Sequence, residues 1–322
     1  MNQISVHIRL LFILSSMVMV AGGCSLKPAH KFPLATVEGV QGHFMEGQII
    51  DLNAGKTLSF DEFMTALESV RLIFVGEVHN NPEHHLIEVQ ILQGLLEHND
   101  APLSVAMEFF EVPRQEAIDR YMKGNQSESD FLEAVNWRSS WSFPYHFYRP
   151  MILLAKENGC PLLAINVPHS VVRKVARSGL KSLTPEERAR VADQIDLKNE
   201  AHRAYLREVY QSHPHHKMRQ FDTFYEAQCV WEESMADEIA RYLEKTKGKL
   251  VVFTGNGHIL NHFGIPDRVL RRIPVDMATV LLYPLTDAIR VTKKMADYVW
   301  LTSGCSAGMP VMHPRKSDRS GR

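Results

Sequence analysis

Four short apolar runs, each closed by a polar residue, constrain this chain more than any other feature. Residues 72–75 read LIFV and stop at Gly76 and Glu77. Residues 103–107 read LSVAM and stop at Glu108, and 162–165 read LLAI and stop at Asn166. Residues 250–254 read LVVFT and stop at Gly255, Asn256, Gly257 and His258. Runs that are apolar at successive positions form strands covered on both faces, the habit of parallel sheets. The intervening stretches are long and mostly helical in pattern. One starts with Asn81 as a cap and Pro82 in the first turn, then places Leu86, Val89, Ile91, Leu92, Leu95 and Leu96 along a helix. This alternation predicts an α/β fold, a predominantly parallel sheet covered by helices on both faces. Later strands are expected at 278–283 and 298–301. A helical insert over about 170–245, broken near Pro185 and Pro214, is expected to form a lobe over one edge.

Ligands of open α/β sheets bind beyond the carboxyl ends of the strands. Glu77, His79, Glu108, Asn166 and His258 all fall there. Any one of them has an ordinary reading, since a strand-end glutamate caps helices and a single histidine packs. Their joint occurrence carries the inference: two imidazoles and two carboxylates in one cleft suit a divalent transition metal or general acid–base chemistry. His84 and His85 fall in the first turn of a helix, where a cation opposes the helix dipole, so they are expected to be surface or accessory residues. A later helix sets Phe221, Phe224, Gln228, Trp231, Met235 and Ile239 on one face. A buried amide needs partners, so Gln228 is expected to face the polar cleft, with Glu232 one turn on beside it.

With 45% hydrophobic residues in 322, the chain can bury a large core. Its net charge of −1 gives no broad basic surface, so no nucleic-acid partner is expected. The first residues hold one arginine, Arg9, an apolar run at 10–21, and then Gly22, Gly23 and Cys24. That run is short for a transmembrane helix and has the form of a signal peptide over 1–23. Cys24 after small residues resembles a lipobox, whose cysteine is lipidated and becomes the mature N-terminus. A tether would follow over 24–44, a folded body over 45–305 with the helical lobe at about 170–245, and a disordered basic tail over 306–322. Ser25 in place of aspartate favours the outer membrane. With Cys24 spent on lipid, three cysteines remain of the four, which excludes a disulfide framework.

Taken in order, the lipobox, GEVHNNPEHH at 76–85, MEFF at 107–110, INVP at 165–168, EAQCVWEESMA at 226–236 and FTGNGHI at 253–259 resemble the ChaN-like haem-binding lipoproteins. The wider group includes the Tiki and TraB proteins, some of them metal-dependent peptidases. The resemblance implies iron acquisition at the bacterial envelope, together with other envelope uptake components. It also implies a homodimer bridged by two stacked haems, each iron taking a tyrosine from one subunit while a histidine and a lysine of the other hold the propionates. Tyrosinate suits ferric iron because it is a hard anionic oxygen donor. The segment AYLREVYQSHPHHKMR at 204–219 offers every ligand type needed, with Tyr210 and Tyr205, then His216 and Lys217. Tyr145 and Tyr148 are the competing tyrosines. His169 departs from the expected pattern, standing after Asn-Val-Pro where arginine is expected. Two functions follow: a haem-binding envelope lipoprotein, and a metal-dependent hydrolase using Glu77, His79, Glu108 and His258.

Overall fold

A computed structural model describes residues 34–98, 101–212, 220–285 and 289–304. The strands are β1 (Ala35–Val37), β2 (Ile49–Asp51), β3 (Lys56–Leu58), β4 (Leu72–Glu77), β5 (Leu103–Glu111), β6 (Leu162–Asn166), β7 (Lys249–Gly255), β8 (Met277–Leu285), β9 (Ile289–Val291) and β10 (Tyr298–Ser303). The first helices are α1 (Phe60–Leu67), α2 (Pro82–Glu97), α3 (Gln115–Met122), α4 (Glu128–Ala134), α5 (Trp137–Ser140) and α6 (Tyr145–Glu157). The later ones are α7 (His169–Ser178), α8 (Pro185–Arg188), α9 (Glu200–Ser212), α10 (Phe221–Lys245) and α11 (Ile265–Leu270). No helix among the described residues is long and apolar enough to cross a membrane.

An eight-stranded sheet runs in the order β3-β2-β10-β8-β4-β7-β5-β6. From β10 to β6 every pairing is parallel, while β2 and β3 add an antiparallel edge. The four apolar runs became β4 to β7, as their composition requires, and all six residues of β4 are buried. Side chains alternate across these strands. Ile73 and Val75 of β4 enter one core with Val251 and Phe253 of β7, under Ile91 and Leu95 of α2 and Met151 and Ile152 of α6. Leu72 and Phe74 enter the other with Leu250 and Val252, under Met235, Ile239 and Leu243 of α10 and Val269 of α11. Each fully buried aliphatic or aromatic side chain of this size contributes about 1.5–3 kcal/mol. The helical stretch expected at 170–245 contains α7 to α10, and the second half of α10 lies along the sheet and helps build that second core.

The sequence reading missed the short strands β1, β2, β3 and β9, which are only three residues each and carry too little pattern to detect. It also ended β5 too early. Glu108 is interior to that strand, which continues to Glu111 through a register shift between Met107 and Glu111.

Candidate functional site

Register brings the carboxyl ends of the central strands level. Val75 of β4 and Met107 of β5 both pair with Phe253 of β7. All three side chains point into the first core. Glu77 follows Val75 by two residues and so projects to that same face. Glu108 follows Met107 by one and projects to the opposite face. The strand-end residues therefore gather at one edge of the sheet as two clusters, one on each face.

On the first face, Glu77 is wholly buried. His79 donates from Nδ1 to Glu77 Oε1 at 2.6 Å, and the Tyr148 hydroxyl reaches the same oxygen at 3.4 Å. The other oxygen, Oε2, lies 2.9 Å from His85 Nδ1. That nitrogen is also 3.0 Å from Glu88 Oε2, and His85 Nε2 donates to the His79 carbonyl at 3.1 Å. Burial alone would lower the His85 pKa, but Glu77 and Glu88 outweigh it and raise it to about 10. Burial, reinforced by the Glu77 charge, pushes Glu88 up to about 8. His79 is likewise raised, burial opposing and Glu77 prevailing. Its ring is walled by Trp141 and Phe143 at 5.0 and 4.9 Å between centroids.

On the second face, Glu108 Oε2 accepts from Thr254 Oγ1 at 2.6 Å and from the Gly255 amide at 2.8 Å. Its Oε1 stands 3.4 Å from His258 Nε2, and His258 Nδ1 stands 3.4 Å from Glu232 Oε1. Burial disfavours the His258 cation, yet the flanking carboxylates raise its pKa to about 10. Glu232 Oε2 in turn faces Arg268 at 3.4 Å and His202 at 3.6 Å, all three side chains being buried. Asn166 ties the edge together, donating to the Glu108 carbonyl at 2.7 Å and accepting from Trp231 Nε1 at 2.5 Å. The clusters approach each other at Gly255, where a Cβ would sit 2.9 Å from the His79 ring and 3.7 Å from Glu108 Oε2. Glycine here keeps open the space that the His79 ring fills.

Several expectations need correcting. His84 and His85 are not surface residues: they are 0% and 3% exposed. The dipole objection fails because His84 is held neutral, its Nδ1 accepting from the Val78 amide, while two carboxylates compensate His85. The buried side of α10 is wider than the predicted stripe, because the helix packs on the sheet and is flanked by α7 and α11. It includes Tyr225, Cys229, Glu232 and Glu233, whereas Gln228 is half-buried. Glu232 is the α10 side chain that enters the polar cluster. The tight donor group among the described residues is Glu77, His85 and Glu88, whose ligand atoms lie within 4.8 Å of one another. His79, Glu108 and His258 are not part of it. His169, in place of the expected arginine, offers its amide to Glu111 at 2.9 Å, and burial lowers its ring pKa.

Sequence reasoning missed Glu88, His202 and Arg268. The His-x-x-Glu spacing at 85–88, one helical face, was the available signal for Glu88; His202 and Arg268 carried none. Tyr205 and Tyr210 both lie on α9, half-buried, beside Phe263 and beside Phe221 and Phe224 respectively. Tyr145 donates to Glu128 at 3.0 Å. Cys24, His216 and Lys217 fall outside the described residues.

The family model described as "Haem-binding uptake, Tiki superfamily, ChaN" matches residues 63–269. Among solved structures, cofacial haem binding to ChaN of Campylobacter jejuni gives a TM-score of 0.63 at 20% identity, covering 78% of this chain and 95% of that one. A mutant of the erythromycin esterase EreC, in its open conformation, gives 0.46 at 14% identity over 74% of this chain and 77% of that one. Among curated proteins, RETICULATA-RELATED 5, chloroplastic, of Arabidopsis thaliana is 24% identical over 262 residues, 74% of this chain. The chain spans 35% of that relative's length.

Proposed function

The chain belongs to the ChaN family of haem-binding uptake proteins in the Tiki superfamily, and on that premise we propose that it binds haem as an envelope lipoprotein acting in iron acquisition. The observation that carries this is the family match over 63–269, supported by the fold shared with the haem-binding ChaN of Campylobacter jejuni. In this reading Cys24 carries the lipid anchor, the outer membrane is the location, and two copies of the chain are bridged by haem.

The tyrosine ligand comes from α9. Tyr205 and Tyr210 are half-buried against Phe263, Phe221 and Phe224, so each phenol stands beside an aromatic wall suited to a porphyrin face. Tyr148 suits the role poorly. It is wholly buried, so its phenol has no open side at which a haem could stand. The donor set on α9 fits ferric haem, because a phenolate oxygen is hard and anionic. Arg207 on the same helix, with His216 and Lys217 later in the sequence, supplies positive charge for propionates. Bound haem would supply its iron as the cargo of uptake. The hydrolase alternative on Glu77, His79, Glu108 and His258 is not favoured. The family is a haem-binding one, and the Glu108 and Glu232 carboxylates are already balanced by His258 and Arg268.

Hemin titration of the purified chain tests the reading. A saturable Soret band of high-spin ferric tyrosinate type is expected, and Tyr205→Phe with Tyr210→Phe should abolish it. No spectral change at stoichiometric hemin would remove the haem reading; a band that survives the double substitution would move the ligand off α9.

A further inference from the structure

We propose that Glu77, His85 and Glu88 form a divalent-cation site for a first-row transition ion such as manganese, iron(II) or zinc, independent of haem. The ligand atoms lie within 4.8 Å of one another and are buried. His85 Nδ1 is 2.9 Å from Glu77 Oε2 and 3.0 Å from Glu88 Oε2. One N–H can point at only one of them. It bonds Glu88, and Glu77 Oε2 is left without a hydrogen bond, as is Glu88 Oε1. Carboxylate oxygens stripped of water and left unpartnered are costly.

The spacing suits an ion. With metal–ligand bonds of about 2.0–2.2 Å, neighbouring donors stand about 3 Å apart, and that is the separation around His85 Nδ1. The supports of a ligand set are present too. Metal-binding histidines usually donate the second ring nitrogen to a carbonyl or carboxylate; His85 Nε2 donates to the His79 carbonyl at 3.1 Å, which leaves Nδ1 as the coordinating atom. Glu77 is held through Oε1 by His79 and Tyr148. The His85 ring stacks on Phe147 at 4.9 Å and 15°. One imidazole with two carboxylates favours first-row ions over calcium, which takes more oxygens, and over soft copper(I). His85 and Glu88 sit three apart on α2, so they share a face, and β4 delivers Glu77 opposite them.

The test uses the full chain, stripped with chelator and kept free of hemin, so that its outcome is separate from the haem reading. Titration with cobalt(II) should give visible d–d bands saturating at one equivalent and a raised thermal midpoint. Glu88→Gln should weaken binding by about tenfold or more. No saturable binding by the folded chain overturns the site. So do bands that are kept in Glu88→Gln but lost in His258→Gln. Should Glu88→Gln not fold, X-ray absorption on zinc-loaded wild-type protein decides: one imidazole among oxygen donors is expected, and sulfur or a second imidazole overturns the proposal.

Discussion

His84 and His85 are adjacent in sequence and opposite in charge state, and the difference lies in what each ring nitrogen meets. His84 accepts from an amide and faces Thr302 Oγ1 at 2.9 Å, so burial lowers its pKa to about 3. At Glu108, burial would raise the pKa, but His258, with the Thr254 and Gly255 donors, holds the carboxyl far below its usual range. Both groups therefore bind fewer protons folded than unfolded, and acid removes stability. For His84 the loss runs as pH falls from 6.5 towards about 3. His258 has the reverse sign. Its contribution is complete below 6.5 and is lost as pH rises to about 10. Denaturant midpoints should fall on both sides of mildly acid pH, and His258→Gln should make the alkaline limb shallower. A wild-type midpoint that stays level from pH 6.5 to 10 would refute the His258 assignment. Gly255→Ala should cost about 1–3 kcal/mol by urea unfolding, because its Cβ meets the His79 ring at 2.9 Å. The His79 imidazole NMR signal should move with it; an unshifted signal would show that the ring does not occupy that space.

Among the elements, α2 shows how local chemistry fixes a functional helix. Asn81 caps it by accepting from the Glu83 amide at 3.0 Å, and Pro82 occupies its first turn. Asn81→Ala should cost about 1 kcal/mol, measured as a lower denaturant midpoint. It should also loosen cobalt binding, since the cap sets the start of the helix that carries His85 and Glu88. Helix α1 has its own capping box, Ser59 with Glu62. Ser59→Ala should cost a similar amount and leave cobalt binding unchanged, which separates a stability effect from a positioning effect. Helix α9 differs in kind: its buried residues are His202 and Leu206, with Tyr205 and Tyr210 at its partly open side. The two phenylalanine substitutions there should preserve helical circular dichroism while removing the Soret band.

At the scale of the whole molecule, haem bridging predicts an association that depends on ligand. Sedimentation should show a shift from monomer to dimer on adding one equivalent of hemin per chain, and the double tyrosine variant should not respond. Sedimentation identical with and without hemin would argue against bridging. Membrane fractionation of cells expressing the full chain should place it with the envelope, and Cys24→Ser should release it to the soluble fraction.

The amino-acid sequence determined that there is a parallel sheet, where β4, β6 and β7 end, and which polar residues stand at that edge; β5 alone runs on past its apolar run, to Glu111. Burial on both faces is written in residue type: LIFV and LVVFT admit few other environments. The caps of α2 were equally legible, because Asn-Pro acts on its nearest neighbours alone. Only the tertiary structure decided which face each edge residue serves. That choice depends on the relative register of β4, β7 and β5, in which Val75, Phe253 and Met107 align. A shift of one residue would send Glu77 or Glu108 to the other side. The partners were beyond sequence for the same reason. His85 and Glu88 meet Glu77 because α2 folds back over β4, and Arg268 meets Glu232 because α11 packs on α10. These contacts join segments whose order along the chain carries no record of their distance in space.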